Sequence, residues 1–331
     1  MTTPAIELSD IACTFVSNDS GKLTQYTAVK GVNLTIGEGE FVSVVGPTGC
    51  GKSTLLNMSA GLLQPSCGTV KIFGKPLEGL NKRAGYMFQA DSLMPWMSAL
   101  DNVAAGLIFR GEPREKAHDQ AREWLKRVGL AGFEESYPHH LSGGMRKRVA
   151  MAQTLIMDPD IILMDESFSA LDIQTRQLME NELLTLWSAK RKAVLFITHD
   201  LDEAISMSDR VIVMSAGPGS HPIGEFVIDL PRPRDVAEVR VTPRFIELHT
   251  AIWSVLREEV LRREGDLRGV MEEYGTVASV KLITDRETRR SKGFAFVEMP
   301  NDDEAKEAIK QLNGAEYVNR TMVVKEALPK A

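Results

Sequence analysis

The sequence predicts an α/β fold organised on a buried parallel sheet, and three observations carry that expectation. Short, mostly apolar runs recur at Phe41–Val45, Ile161–Met164 and Ala193–Ile197, with the length and composition of strands covered on both faces. Each run ends where chemistry-bearing residues begin: Gly46 after the first, Asp165-Glu166 after the second, Thr198-His199-Asp200 after the third. In α/β sheets ligands gather at the C-terminal ends of strands.

The first strand feeds Gly46-Pro-Thr-Gly49-Cys-Gly51-Lys52-Ser53, and Ser53–Ala60 reads as the start of a helix. A strand, a G-x-x-x-x-G-K-S loop and a helix in that order form a phosphate cradle. Gly46, Gly49 and Gly51 let backbone N–H groups turn towards phosphate oxygens, and the helix N-terminus adds its dipole. Lys52 supplies a point charge for the β- and γ-phosphates. Ser53 offers a hydroxyl to Mg²⁺, and Thr54 reaches a further phosphate oxygen. Gln89 follows in a Tyr-Met-Phe-Gln run, and Leu141-Ser142-Gly143-Gly144 opens a second helical stretch. The strand Ile161–Met164 then delivers Asp165, suited to a water-mediated Mg²⁺ contact, and Glu166, suited to polarise an attacking water. His199, alone among the six histidines, stands at the end of a strand of the same sheet, within reach of a γ-phosphate. His139 and His140 read as loop residues.

In this order, Gly46–Ser53, Gln89, Leu141–Gly144, Asp165-Glu166, Ser169-Ala-Leu-Asp172 and His199 resemble the nucleotide-binding subunit of ABC transporters over about residues 5–264. The resemblance implies a P-loop NTPase cassette: a RecA-like core, an N-terminal antiparallel β-subdomain and a helical subdomain over about 90–157. The cassette proper is expected at 1–230 and a helical extension at 231–264. The resemblance also implies two ATP molecules with Mg²⁺ between the subunits of a head-to-tail homodimer. Ser142, Gly143 and Gly144 of one subunit would face the γ-phosphate held by Lys52 of the other, with Asp172 near the seam. Gln89 would join the metal and catalytic groups and link the site to the membrane partner. Phe15 matches the adenine-stacking aromatic, with Tyr26 as second candidate. One position departs from the family pattern: Ser167 stands where proline usually follows the glutamate. Serine leaves the backbone freer than proline, and a mild effect is expected.

Gln89-Ala-Asp-Ser-Leu-Met-Pro95-Trp96 and Ile228-Asp-Leu-Pro-Arg-Pro-Arg234 resemble the ATPases of nitrate, sulfonate and taurine importers. Phe245–Trp253 with Leu256, Val260 and Leu261 extends that likeness as an amphipathic helix. Trp96 belongs either to the permease-docking surface or to the core of the helical subdomain. The resemblance implies membrane permease subunits as direct partners and an extracytoplasmic solute-binding protein as an indirect one. It also implies a peripheral location on the cytoplasmic face of the membrane.

The bulk properties agree. With 39 Lys+Arg against 45 Asp+Glu, the net charge of −6 argues against a broad polyanion-binding surface. Three cysteines form no disulfide framework, as in a reducing compartment. The N-terminus lacks a signal-peptide pattern, and no apolar run approaches the roughly 18 residues a membrane span needs.

After Arg263-Glu264-Gly265 the character changes, and a separate segment is expected over 265–331. Lys292-Gly-Phe294-Ala-Phe296-Val-Glu-Met299 fits the main motif of the RNA-recognition-motif domain except at its last position. Over 266–331 the chain resembles that α+β, ferredoxin-like domain. A first helix is expected at Asp266–Tyr274, strands at Val277–Asp285 and Thr321–Glu326, and a second helix at Asn301–Asn313. The domain's first, central strand has no counterpart, because Trp253–Glu264 has helical periodicity. The segment carries 11 Lys+Arg against 12 Asp+Glu, a net charge of −1, and so lacks the basic footprint of a nucleic-acid binder. RNA is not an expected partner. Two alternatives of other classes stand beside the importer ATPase: an RNA-binding protein acting through the tail, and an ABC ATPase working away from transport. The missing strand weighs against the first, and the single compact cassette against the second.

Overall fold

The computed structural model describes residues 3–19, 22–284, 291–317 and 320–327. The chain opens with a long hairpin, β1 (Ile6–Asp19) and β2 (Lys22–Ile36), and passes into β3 (Phe41–Val45). The glycine-rich loop leads to α1 (Lys52–Ala60), then β4 (Cys67–Ile72), the two-residue β5 (Lys75–Pro76) and β6 (Ala84–Met87). Three helices follow: α2 (Ala99–Phe109), α3 (Arg114–Arg127) and α4 (Gly143–Leu155). Strand and helix then alternate through β7 (Ile161–Asp165), α5 (Ile173–Ala189), β8 (Ala193–Ile197), α6 (Leu201–Met207) and β9 (Arg210–Met214). The chain returns in β10 (Pro222–Val227) and the one-turn α7 (Val236–Val239), and then enters α8 (Pro243–Glu272). The tail adds β11 (Ser279–Thr284), β12 (Ser291–Glu298), α9 (Asp302–Leu312), β13 (Glu316–Tyr317) and β14 (Arg320–Thr321).

The central sheet has the order β10-β9-β3-β8-β7-β6 and is parallel except for β10. Every residue of β3 and β8 is buried, because helices or the second sheet cover both faces, and this is why these strands read as unbroken apolar runs. The second sheet, β2-β1-β4-β5, is antiparallel. Its Ile6, Leu8, Ile11 and Val32 share a core with Leu55, Leu56 and Met58 of α1 and with Val42 and Val44 of β3. A second core joins α2–α5 to the opposite side of the sheet through Val103, Val149, Phe168, Met179 and Phe196. A third packs Leu248, Ile252 and Leu256 of α8 against α6 and β9. Leu55 is fully buried, so truncating it to alanine costs about 2–5 kcal/mol and would loosen the helix behind the phosphate loop.

The tail departs from expectation in two places. The boundary expected at Gly265 lies inside α8, a single 30-residue helix that merges the cassette's terminal helix with the helix expected from Asp266. The helical periodicity runs on through Leu267 and Met271, and the two interior glycines, Gly265 and Gly269, cost only about 1 kcal/mol each. The strand expected at Thr321–Glu326 shrinks to a two-residue pairing, Glu316↔Thr321 and Tyr317↔Arg320, and residues 322–327 join no ladder. β12 keeps its antiparallel partner β11. The last strand depends on the central one, and the residues before it are committed to α8, so its backbone finds no ladder to join. Among the described residues, the tail core rests on four buried apolar side chains, Met271, Val277, Ala308 and Leu312.

Candidate functional site

The glycine-rich loop is shaped by left-handed and closely packed glycines. Gly49 and Gly51 have φ near 80° and 85°, a conformation costly for side chains with a Cβ. A Cβ on Gly51 would stand 2.5 Å from Val29 Cγ1, and one on Gly46 would stand 2.9 Å from Cys50 Sγ. Gly51 caps α1 with no side-chain bond, leaving the first amides of the helix to a ligand. Lys52 is buried within the loop and donates to the carbonyls of Gly46 and Pro47 at 2.9 and 3.1 Å. Thr54, half-buried, follows on the first turn.

The ends of β7 and β8 bring the remaining groups to this loop. Ser53 Oγ donates to Asp165 Oδ1 at 3.0 Å. Burial pushes the Asp165 carboxyl up, the Ser53 bond opposes the shift, and the charge of Glu166 reinforces it. Glu166 holds an unusual backbone, with φ 43°, fixed by its N–H donating to Ile197 O at 2.8 Å. The twist aims its carboxylate between two partners: His199 Nδ1 lies 3.0 Å from Oε1, and Gln89 Nε2 donates to Oε2 at 3.4 Å. Gln89 also reaches Ser169 Oγ at 3.4 Å. The buried His199 Nε2 has no hydrogen-bond partner, a polar atom left for a ligand.

Among the described residues, no group of three or more His, Cys, Asp or Glu could hold a metal ion. The donor set, one hydroxyl and one carboxylate at hydrogen-bond distance, suits Mg²⁺, which keeps waters and takes ligands from a substrate's phosphates. The same set would not cage a structural metal.

The structure thus joins Lys52, Ser53, Asp165, Glu166, Gln89 and His199 at one end of the sheet. Ser142 caps α4, accepting from Met145 N at 3.2 Å, and a Cβ on the following Gly143 would make only an ordinary contact, with Arg146 Nη2 at 3.8 Å. Gly144 is demanded by packing, because a Cβ there would meet Thr175 Cγ2 at 2.6 Å. Asp172 caps α5 through Thr175 N at 3.0 Å, and that bond holds its carboxyl below the usual range. Phe15 is exposed and lies opposite Tyr26 in the β1–β2 ladder. Tyr26 is the one that touches the phosphate loop, its hydroxyl donating to Gly49 O at 3.3 Å. Trp96 is 72% exposed, which removes it from the core of the helical layer. His139 and His140 sit in a single 3₁₀ turn.

Sequence reasoning missed two residues, Tyr86 and Lys147, and misjudged a third, Ser167. Tyr86 donates to Asn57 Oδ1 at 3.0 Å and reaches Asp165 Oδ2 at 3.5 Å. Its place three residues before Gln89, on the strand beside β7, was the available signal. Ser167 is not the freer link expected in place of proline: its buried hydroxyl donates to Met87 O at 3.1 Å and ties the segment after Glu166 to the end of β6. Lys147, 3% exposed, donates to Phe88 O and Gln89 O at 2.9 Å each.

The ABC transporter family model matches residues 29–169, and the RNA recognition motif model matches residues 263–323. An uncharacterised ABC transporter ATP-binding protein of Methanocaldococcus jannaschii is 48% identical over 236 residues, covering 71% of this chain and 86% of the relative. A taurine import ATP-binding protein of Pelagibacter ubique is 39% identical, covering 72% and 91%. A nitrate import ATP-binding protein of Synechocystis is 40% identical, covering 76% and 95%. Among solved structures, a dimeric, post-hydrolysis ATP-binding cassette bound to ADP and phosphate superposes with a TM-score of 0.60 at 33% identity, covering 68% of this chain and all of that one.

Proposed function

The chain belongs to the ABC transporter family of ATP-binding proteins and carries its ATPase cassette, and from that premise we propose that it powers solute uptake through a membrane permease, as a head-to-tail homodimer with Mg-ATP at each shared site. The observation that carries this reading is the convergence of Lys52, Ser53, Asp165, Glu166, Gln89 and His199 at the C-terminal ends of β3, β6, β7 and β8, beside the N-terminus of α1.

In this reading Lys52 leaves its loop carbonyls for the β- and γ-phosphates. Ser53 and Asp165 hold the Mg²⁺, which would neutralise developing phosphate charge. Glu166 orients and polarises the attacking water, and Gln89 and His199 fix its carboxylate. The free His199 Nε2 faces the γ-phosphate. Ser142 and the first amides of α4 would meet the partner's γ-phosphate. Ser142 keeps its O–H for that contact, because its capping bond uses only an oxygen lone pair.

Among the described residues, no helix is long and apolar enough to cross a membrane, so this reading assigns translocation to partner subunits. A cavity of about 380 Å³ between β6 and α4, lined by Tyr86, Phe88, Asp91, Arg110, Lys147 and Met157, adjoins Gln89 and is suited to receive a permease loop. The exposed Trp96 is a second candidate contact for the permease. The likeness to taurine and nitrate import proteins favours a nitrate-, sulfonate- or taurine-like solute, delivered by an extracytoplasmic binding protein. RNA is not among the proposed partners: the tail's exposed Phe294 and Phe296 stand edge to face at 5.9 Å, but its charge is balanced.

The test is Glu166→Gln. Steady-state hydrolysis should fall by at least about 100-fold, the scale of losing a general base, while ATP binding persists and an ATP-dependent dimer accumulates in size-exclusion chromatography. Turnover within a few-fold of the native protein would remove Glu166 from the role of base.

A further inference from the structure

Three consecutive backbone carbonyls run up to the Gln89 side chain, and side chains from other elements take each of them. Ser167 donates to Met87 O, and Lys147 donates to both Phe88 O and Gln89 O. Lys147 is buried, an expensive place for an ammonium unless its donors are satisfied. Its charge is met by those two carbonyls and by Asp91 Oδ1 at 3.8 Å, which is itself held by Arg146 at 3.0 Å. The lysine therefore has a fixed place and a fixed set of acceptors.

That place is on the helix opened by Ser142–Gly144. Gly144 lets α4 seat closely on Thr175, and Lys147 reaches from the next turn across to the Gln89 segment. From the opposite side, Ser167 ties Met87 to the loop that carries Glu166. The Gln89 amide thus hangs from a backbone pinned to the Glu166 loop at one point and to α4 at two.

We propose that Lys147 is a positioning residue for ATP hydrolysis: it fixes the Phe88–Gln89 backbone to α4 and so sets where the Gln89 amide stands against Glu166. This rests on the roles proposed above for Gln89 and Glu166. Any shift of α4 is then transmitted to Gln89 through two charge-assisted hydrogen bonds, which are the strong kind.

The experiment is a double-mutant cycle on the full chain, read as kcat, KM and affinity for a fluorescent ATP analogue. Lys147→Met should lower kcat about 10-fold, within the scale of a small misplacement at a catalytic group, and leave ATP affinity within about 3-fold because it touches no phosphate ligand. Lys147→Arg keeps the charge and the donors, with the adjoining cavity to accept its bulk, and should recover most of kcat. Adding Lys147→Met to Gln89→Ala should change kcat little further, because the lysine acts through that glutamine. Should Lys147→Met lower the melting temperature markedly, the cycle is run with Lys147→Gln, a neutral donor, with the same non-additivity expected. Full additivity with Gln89→Ala, or native kcat in Lys147→Met, would overturn the role of Lys147 alone. Native turnover in Gln89→Ala and in Glu166→Gln would instead overturn the site assignment on which it stands.

Discussion

Replacing Glu180 by glutamine should flatten the dependence of stability on pH between about 5 and 8. Glu180 on α5 and Glu203 on α6 are 0% and 2% exposed. Arg240 lies 3.1 Å from Glu180, and Arg176 lies 3.1 Å from Asp200 and 3.5 Å from Glu203. Three carboxyl groups against two guanidiniums leave one negative charge in excess (3 − 2 = 1), in a place where one oxygen each of Glu180 and Glu203 has no hydrogen-bond partner. Burial, reinforced by repulsion from Glu203, pushes Glu180 up to about 8, and burial with the Asp200 charge pushes Glu203 up to about 7. Near neutral pH the native cluster therefore retains a proton that the unfolded chain, with glutamates near 4.5, has released. A native state that binds more protons loses stability as pH rises. The contribution is whole below the unfolded value and is lost by about 1.4 kcal/mol per unit as pH climbs towards the folded one. Over about three units the ceiling is roughly 4 kcal/mol. With glutamine at 180, the share of proton retention that Glu180 carries disappears, while Glu203 stays raised by burial and by the Asp200 charge. Urea unfolding midpoints, taken in roughly one-unit steps from about pH 5 to 8.5 with constant m, give the comparison. The difference between variant and native protein should grow steadily with pH. Parallel curves would mean that Glu180 keeps no proton, and the charge count would be wrong.

Two further outcomes are expected. Ser142→Arg should leave ATP binding by the monomer intact and abolish the nucleotide-dependent dimer, because in the proposed dimer Ser142 would serve the opposite subunit's phosphate; loss of monomer binding on titration with a fluorescent ATP analogue would refute the shared site. Deleting residues 275–331, just past the end of α8, should leave ATPase activity within about 2-fold, the usual span of changes remote from a site, since every residue assigned to ATP chemistry lies between Phe15 and His199; a larger fall in kcat would give the tail a part in the cassette.

The parallel strands and the polar residues gathered at their ends were legible because burial on both faces writes itself as apolar runs, and because the phosphate loop, Asp165-Glu166 and His199 each sit at a strand end. The tail's incomplete sheet was also readable, since Trp253–Glu264 has no alternation. The contacts that position the catalytic groups were not. Lys147 and Gln89 are 58 residues apart, and Ser167 and Met87 are 80 apart; both contacts exist only once the sheet order sets β6 beside β7 and α4 against their ends. Local rules value serine and proline by backbone freedom, so Ser167 read as a loosening, whereas its hydroxyl makes a tertiary bond. The change of character at Gly265 falls where the RNA recognition motif match begins, at residue 263, yet it marks no break in the helix, for a related reason. A glycine and a change of composition mark a boundary in sequence, but a helix needs only continued propensity and packing, and α8 has Leu256 buried on one side of the glycine and Leu267 and Met271 on the other.

That shared helix makes the tail's orientation a matter of residue count. A flexible linker of any length would let a second domain wander, but a continuous helix fixes its azimuth: each residue added or removed in the 260–266 stretch turns everything beyond it by about 100° and shifts it by about 1.5 Å. An insertion of one residue would swing Leu267 and Met271 out of phase with Leu248, Ile252 and Leu256, whereas seven residues, close to two whole turns, would nearly restore the phase about 10 Å further out. Any domain grafted onto this helix would inherit the same rule, meeting or missing its neighbours according to a remainder on division by 3.6.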